Sequence, residues 1–321
     1  MEDPSGWSLT ESDPQVFSEL LRNLGVTGLQ VDDLYSLDAD TLSQLKPIHA
    51  LIFLFKWVGQ GGGAEAAGVE IDPSEAGVWF ANQVINNSCG TIAALNAVMN
   101  IPELQAGPES IGIGSELKNL RDFGAGMSSM DLGHVVASSD TIREVHNSFS
   151  KTSPFSLDPS AMPEREKDDA YHFVTYLPVN GVLYELDGLR SAPLMHAACD
   201  DDWLDAARET IEARIATYPP GSVMFNLLAV RSAAIPRLER ELAAAGNEME
   251  RFRLSHTLAQ ERAKAEEGAV ENALRRHNML PLVLGLFEAL NASSIKADVI
   301  DAARDKAKER KAKAGERKQE Q

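Results

Sequence analysis

The chain predicts a mixed α/β fold: a central, mostly antiparallel sheet flanked by helices, followed by an all-helical C-terminal extension. Three observations carry that prediction. Asn180-Gly181 stands between two apolar runs, the strongest short signal for a type I′ hairpin. The run Leu51-Ile52-Phe53-Leu54-Phe55-Lys56-Trp57 has strand length and is apolar enough to be buried on both faces. After Pro236, Leu238, Leu242, Ala245, Met249, Phe252, His256, Ala259 and Ala263 alternate four and three residues apart, the spacing of a narrow coiled-coil-like seam.

The elements follow in order. Asp13 caps a first helix, Pro14 takes its first position, and Phe17, Leu20, Leu21 and Leu24 form its apolar stripe before Gly25 ends it. The strand at 51–57 runs into a Gly-rich loop at 58–68. A second strand is expected near 78–85 and leads into a helix at 90–100, apolar nearly all round and therefore central. Another helix covers 139–146. Residues 150–169, rich in Ser, Pro and charge, form a long loop of the kind that is functional or disordered. The hairpin strands are 171–178 and 182–187, and a final strand at 222–230 closes the sheet. A compact apolar helix at 279–290 and a basic tail end the chain. The boundaries drawn are 1–233 for the mixed domain, 234–276 for a helical linker and 277–321 for a helical segment with its tail.

A chain of 321 residues with 44% hydrophobic content has ample core for independent folding. No apolar stretch approaches the length of a membrane span, and the N-terminus lacks the basic and apolar regions of a signal peptide. Two cysteines far apart make neither a disulfide framework nor a zinc spacing. The expectation is an intracellular protein, with no membrane association, no metal and no cofactor. Net charge is −18, unevenly spread. Setting aside the eight basic and four acidic residues of 304–321 leaves a body at −22 and a tail at +4. An acidic body argues against direct nucleic-acid binding and suits a basic protein partner, though a merely soluble surface reads the same way.

Cys89 lies where the apolar run at 78–85 gives way to the helix. Asn87 or Ser88 is expected to N-cap that helix, which puts Cys89 in its first turn. There the unpaired N–H groups and the positive end of the macrodipole favour a thiolate and can hold an oxyanion. The side-chain amide of Gln83 offers a second donor. The same pattern also fits a small hydrophobe closing a core helix. A two-residue turn at Asn180-Gly181 pairs Val179 with Val182, so that His172 and Asp187 become diagonal neighbours on one face. Asp187 then orients the imidazole, whose other nitrogen can deprotonate a thiol. Each residue alone also has a plain reading, a half-buried strand histidine and a turn aspartate.

At these residues the sequence resembles the ubiquitin C-terminal hydrolase family of papain-like cysteine peptidases. The matching stretches are 81–91 (Ala81-Asn82-Gln83 through Cys89-Gly90-Thr91), 142–149, His172-Phe173-Val174, 183–188 and Phe225-Asn226-Leu227. Trp7-Ser8-Leu9-Thr10-Glu11-Ser12-Asp13-Pro14 with 51–57, and Arg276-His277-Asn278-Met279-Leu280-Pro281, are similar to the long, proteasome-associated member. The resemblance implies a papain-like fold, with Cys89 as nucleophile, His172 as general base and acid, Asp187 as its orienter and Gln83 as oxyanion donor. It implies hydrolysis after ubiquitin's C-terminal glycine through a thioester. Its implied partners are ubiquitin and its conjugates, a proteasomal ubiquitin receptor docked by the C-terminal extension, and in some lineages a chromatin-remodelling complex, in cytoplasm and nucleus. The alternative it leaves is a binding subunit with a dormant catalytic domain. The loop around 151–169 corresponds to a crossover segment over the site. Departures are Ser88 in place of alanine, Gly133-His134 in place of a basic residue and glycine, and Ala137 in place of a larger residue. His49, His134, His146, His196, His256, His277 and Cys199 are expected to have no catalytic part, and apart from His146, a core-helix position, no supporting cluster.

Overall fold

Strand β2 (Ile48–Lys56) alternates its side chains between two hydrophobic cores, which is why its sequence is apolar without interruption from Ala50 to Phe55. A computed structural model describes residues 6–56, 68–104, 110–149, 171–199, 202–218, 225–277 and 279–292. The chain begins with α1 (Pro14–Asn23), β1 (Leu29–Asp33), α2 (Ala39–Leu45) and β2, then β3 (Val69–Glu70) and the short α3 (Pro73–Ala76). A 3-10 turn at Asn86–Ser88 leads into α4 (Cys89–Val98), followed by α5 (Gly114–Phe123), α6 (Ser129–Ser138) and α7 (Asp140–Asn147). Next come β4 (Tyr171–Val179), β5 (Val182–Leu186), β6 (Leu194–Ala198), α8 (Trp203–Ile215) and β7 (Phe225–Ser232). The helical extension is α9 (Ala234–Ala244), α10 (Glu248–Arg276) and α11 (Leu280–Ala292). Residues 58–67 of the loop expected at 58–68, the loop expected at 150–169 and the basic tail lie outside the described residues.

The strands form one antiparallel sheet in the order β1-β7-β2-β4-β5-β6-β3. On one face Ile52, Phe173, Leu177 and Leu228 pack against α1 and the almost wholly apolar α4. On the other, Leu51, Phe53, Tyr176 and Ala229 pack against Trp203, Leu204 and Ile211 of α8. The hairpin has the expected register, Val179 opposite Val182 and Thr175 opposite Leu186, with Asn180 and Gly181 both at positive φ as a type I′ turn requires. The strand expected to close the sheet is β7, and it lies inside, between β1 and β2. The first helix is as expected, with the Asp13 carboxylate accepting from the Gln15 and Val16 N–H groups.

Three expectations are corrected. Residues 78–85 are extended but join no sheet. Side-chain amides replace the partner strand: Asn100 exchanges two hydrogen bonds with the Trp79 backbone at 2.7 and 2.8 Å, and Asn96 two with Ala81 at 2.9 and 3.2 Å. Residues 79 and 81 share one edge of an extended segment, so two amides four residues apart serve both. The helix at Cys89 has no side-chain N-cap, because the Ser88 hydroxyl donates instead to the Ile85 carbonyl inside the 3-10 turn. The C-terminal seam is displaced. Met249 and Phe252 are 84% and 74% exposed, while Leu254 and Leu258 pack with Ala234, Leu238 and Ala245. Ala245 leaves the helical conformation and Asn247 caps a new helix through the Glu250 N–H, so the period read across the break loses phase.

Two heptads after Leu254 and Leu258 the same seam of α10 carries Gly268 and Asn272, both buried. Gly268 admits the Gln15 side chain, whose atoms lie 2.5 Å from where a Cβ would sit. Asn272 donates to the Gln15 carbonyl and the Glu19 carboxylate, Arg275 reaches Glu11 and Asp13, and Arg276 pairs with Glu19. Further along, buried Arg231 bridges Asp32 and Glu261, and Lys264 adds to Asp32. Burial opposes the Asp32 carboxylate, but Arg231 and Lys264 outweigh it and lower its pKa. Helices α9 and α10 thus belong to the same compact unit as the sheet, and a second unit begins at His277.

Below the sheet, His196 has a cluster that the sequence reading missed. Its Nε2 lies 3.1 Å from buried Glu185, which also accepts from Arg214 at 2.6 Å and from the Tyr176 hydroxyl at 2.9 Å. Burial raises the Glu185 pKa, but Arg214 and His196 reverse the effect and bring it to about 2. The folded value lies below the ordinary 4.5, so this stabilisation is present above that pH and lost as the pH falls toward 2. Glu185→Gln leaves Arg214 buried beside a neutral partner and is expected to cost about 3 kcal/mol in urea unfolding at pH 7. The gap between variant and wild type should close on acidification, and a gap independent of pH would contradict the assignment.

Candidate active site

Cys89 is the first residue of α4, half-buried at the end of the 3-10 turn. The helix beneath it is fixed from three sides. Gly90 lets the N-terminal segment approach, since a Cβ there would stand 3.2 Å from Thr10 and 3.3 Å from Phe17. Thr91 binds His146 Nδ1 at 2.7 Å, and the Thr175 hydroxyl donates to the Ala93 carbonyl at 2.7 Å, stitching α4 to β4. His146 Nε2 lies 2.7 Å from the Ser8 carbonyl and must donate to it, while Nδ1 shares its hydrogen bond with the Thr91 hydroxyl. Burial lowers its pKa against the opposing pull of that carbonyl. This histidine is part of the scaffold, tying the N-terminal segment to the nucleophile's helix.

The expected pair meets: His172 Nε2 lies 2.6 Å from Asp187 Oδ1, both side chains almost wholly buried. The route differs from a simple cross-strand diagonal. The β4–β5 ladder ends at Thr175 and Leu186, while His172 pairs with Phe55 of β2 on its other side. Asp187 sits in a turn closed by the Arg190 N–H on its carbonyl at 2.9 Å, and the Leu189 N–H donates to its Oδ1 at 2.9 Å. Phe55 meets the His172 ring edge-on at 5.7 Å. With Nε2 engaged by Asp187, Nδ1 is left for the Cys89 sulfur, the ring's other hydrogen-bond partner. Burial lowers the His172 pKa, but Asp187 and then Cys89 raise it further, to about 9. The arrangement stores a proton on the imidazole beside a sulfur, the state from which a thiolate attacks and an amine is protonated.

Gln83 lies next to this pair, but its amide is turned toward the chain. Its nitrogen donates to the Ile85 and Asn86 carbonyls at 2.9 and 2.8 Å, and its oxygen is buried with no hydrogen-bond partner among the described residues. Gly188 explains how the halves of the site fit: a Cβ there would meet Ile92 at 2.8 Å and Gln83 at 3.1 Å. Gly133 is accounted for in the same way, since a Cβ would strike the Asn82 carbonyl at 2.2 Å. His134 and Ala137 remain without a structural reason. The His, Cys, Asp and Glu of the described residues gather nowhere in threes as a metal ion would need.

The sheet, the helix that starts at Cys89 and the His172–Asp187 pair define a papain-like cysteine peptidase. The family model for ubiquitin carboxyl-terminal hydrolase, family 1, matches residues 7–216, and a second model for ubiquitin carboxyl-terminal hydrolases matches 252–295. The chain belongs to the ubiquitin C-terminal hydrolase family; it is a long member carrying the C-terminal helical extension, and a cysteine-type ubiquitin hydrolase. It is 38% identical to ubiquitin carboxyl-terminal hydrolase ubh-4 of Caenorhabditis elegans, over 97% of this chain and 95% of that one. It is 35% identical to ubiquitin carboxyl-terminal hydrolase 2 of Schizosaccharomyces pombe, over 88% and 90%. Trichinella spiralis UCH37 bound to ubiquitin vinyl methyl ester superimposes with a TM-score of 0.66 at 37% identity, over 82% of this chain and 99% of that one.

The folded pKa of His172 exceeds the ordinary 6.5, so the stabilisation from its charged form is complete below 6.5 and lost as the pH rises through about 9. Ring-proton NMR should show His172 titrating near 9, and Asp187→Asn should lower that midpoint by a unit or more, about 1.4 kcal/mol per unit. A midpoint near 6.5 in the wild type would refute the ion-paired state.

Proposed function

We propose that this chain hydrolyses the bond after ubiquitin's C-terminal glycine with Cys89 as nucleophile, His172 as base and acid, and Asp187 as the residue that orients His172. The 2.6 Å contact between His172 and Asp187, with Cys89 as a further hydrogen-bond partner of the ring, carries the reading. The ubiquitin vinyl methyl ester bound by the Trichinella relative supports the substrate class.

In the first step, with the proton already on His172, the Cys89 thiolate attacks the glycine carbonyl carbon, moving an electron pair onto its oxygen. The backbone N–H groups at the start of α4 are the first donors to that oxyanion in this reading. Gln83 joins them by giving up its bond to Asn86, the more exposed of its two. The tetrahedral species collapses to a thioester, and the amine leaves with the proton held by His172. Water then loses a proton to His172, attacks the thioester, and the Cys89 sulfur departs. Cys89→Ala should abolish release of a fluorogenic amine from ubiquitin's C-terminus, and ubiquitin vinyl methyl ester should modify wild type at Cys89 alone. A wild-type protein showing neither turnover nor adduct would defeat the proposal.

Helix α11 supports a docking role. Leu282, Leu284, Leu286 and Phe287 are all more than half exposed, large apolar side chains distributed around the helix. Our reading is that this helix binds a proteasomal ubiquitin receptor, with a chromatin-remodelling complex as the other candidate, so that the enzyme acts in cytoplasm and nucleus. A chain ended after Arg276 keeps the buried contacts of α10, including Asn272 and Arg275, and removes α11 and the tail. It should retain wild-type melting and cleavage of the fluorogenic substrate but no longer co-purify with proteasomes. Persistent co-purification would remove α11 from the docking surface. The second reading, a binding subunit whose catalytic domain is dormant, gains if α11 is needed for binding while full-length protein fails to turn over.

A further inference from the structure

Asp187 owes its place to a residue outside the expected set. Asn82 is 5% exposed, and its side-chain nitrogen lies 3.2 Å from the Gly188 carbonyl and 2.5 Å from that of Arg190. Both neighbours are acceptors, so the amide has one sensible orientation, nitrogen toward the turn. The backbone on either side of this amide is fixed as well. The Asn82 N–H donates to the Ser129 carbonyl at 2.9 Å, and the Gln83 N–H donates to the Gly188 carbonyl at 2.8 Å. Gly133 of α6 closes over the Asn82 carbonyl with no room for a side chain. The turn so gripped is the one whose Leu189 N–H holds Asp187 Oδ1, the oxygen that also binds His172.

We infer that Asn82 is a positioning residue for the hydrolysis: its amide clamps the Gly188 and Arg190 carbonyls and thereby sets where the Asp187 carboxylate presents itself to His172. The inference rests on the proposed role of Asp187. Nothing else in the clamp could replace it, because the Gln83 N–H reaches only the Gly188 end and leaves the Arg190 carbonyl without this donor. The side chain itself lies one residue before Gln83, so it ties the Asp187 turn directly to the segment that leads to Cys89.

Loosening the turn weakens the Asp187–His172 bond, so the imidazole loses its proton at lower pH. With the ubiquitin C-terminal amide as substrate, Asn82→Ala should lower kcat about tenfold with KM within about twofold of wild type. The alkaline limb of its pH profile should move down by about half a unit or more. Asn82→Ser, which keeps one donor, should change both quantities in the same direction by less. In an Asp187→Asn background, Asn82→Ala should add under about twofold, because the two act through one contact. Thermal melting of each variant identifies any that is not folded at the assay temperature, and the Ser variant then carries the test. An unchanged kcat and pH profile in a folded Asn82 variant, or full additivity with Asp187→Asn, would overturn the inference. If Asp187→Asn itself left kcat unaltered, the role of Asp187 would fall instead, which the parallel measurement separates.

Discussion

The hydrogen bond from the Gln83 N–H to the Gly188 carbonyl, with the Asn82 amide beside it and the Thr175 hydroxyl on the Ala93 carbonyl, joins the two halves of the molecule that meet at the site. One half is the extended segment and helix that deliver Cys89; the other is the hairpin that delivers His172 and the turn that carries Asp187. Each is rigid in its own right. The first is packed between the sheet and α6, and the second is held by ladder bonds to β2 and β5. Their relative position is set where Gly188 touches Ile92 and Gln83 with no side chain between them. Close approach of backbones, together with the hydrogen bonds made by Asn82 and Gln83, fixes the geometry on which proton transfer depends.

The hairpin could be read from sequence because its information is local. Asn180-Gly181 fixes the turn and the turn fixes the register as far as Thr175 and Leu186, after which the turn at 187–190 completes the approach of residues 172 and 187. The Cys89 helix could be read because apolar residues cover it on all sides. The segment at 78–85 misled because the signal for an extended chain does not say who pairs with it. Asn96 and Asn100, two amides in and just past an apolar helix, were the available sign of an unusual partner. The cluster around Glu185 was invisible for a different reason. Tyr176, His196 and Arg214 are scattered over three elements, and only the folded sheet and α8 assemble them.

The C-terminal seam shows how periodicity fails at a break. The heptad spacing is real on both sides of Gly246, but Ala245 turns the chain and the second helix starts with a new phase. What the corrected seam contains is as informative as where it lies. Near α9 it is hydrocarbon, Leu254 and Leu258; toward the end of α10 it is Gly268, Asn272 and the arginines. Glu11, Asp13 and Glu19 on the facing surface match the arginines in charge, and Asp32 matches Lys264.

That change of character along one helix decides what separation would cost. Lifting the leucine end would bring bare hydrocarbon into water and carry the usual penalty for it. Lifting the far end would hand carboxylates, an amide and guanidinium groups to a solvent that hydrates them well, leaving both surfaces wettable. The helix is therefore built with one end that resists water and one that tolerates it, so the lifted far end would give two surfaces that stay soluble apart rather than two that stick to other proteins.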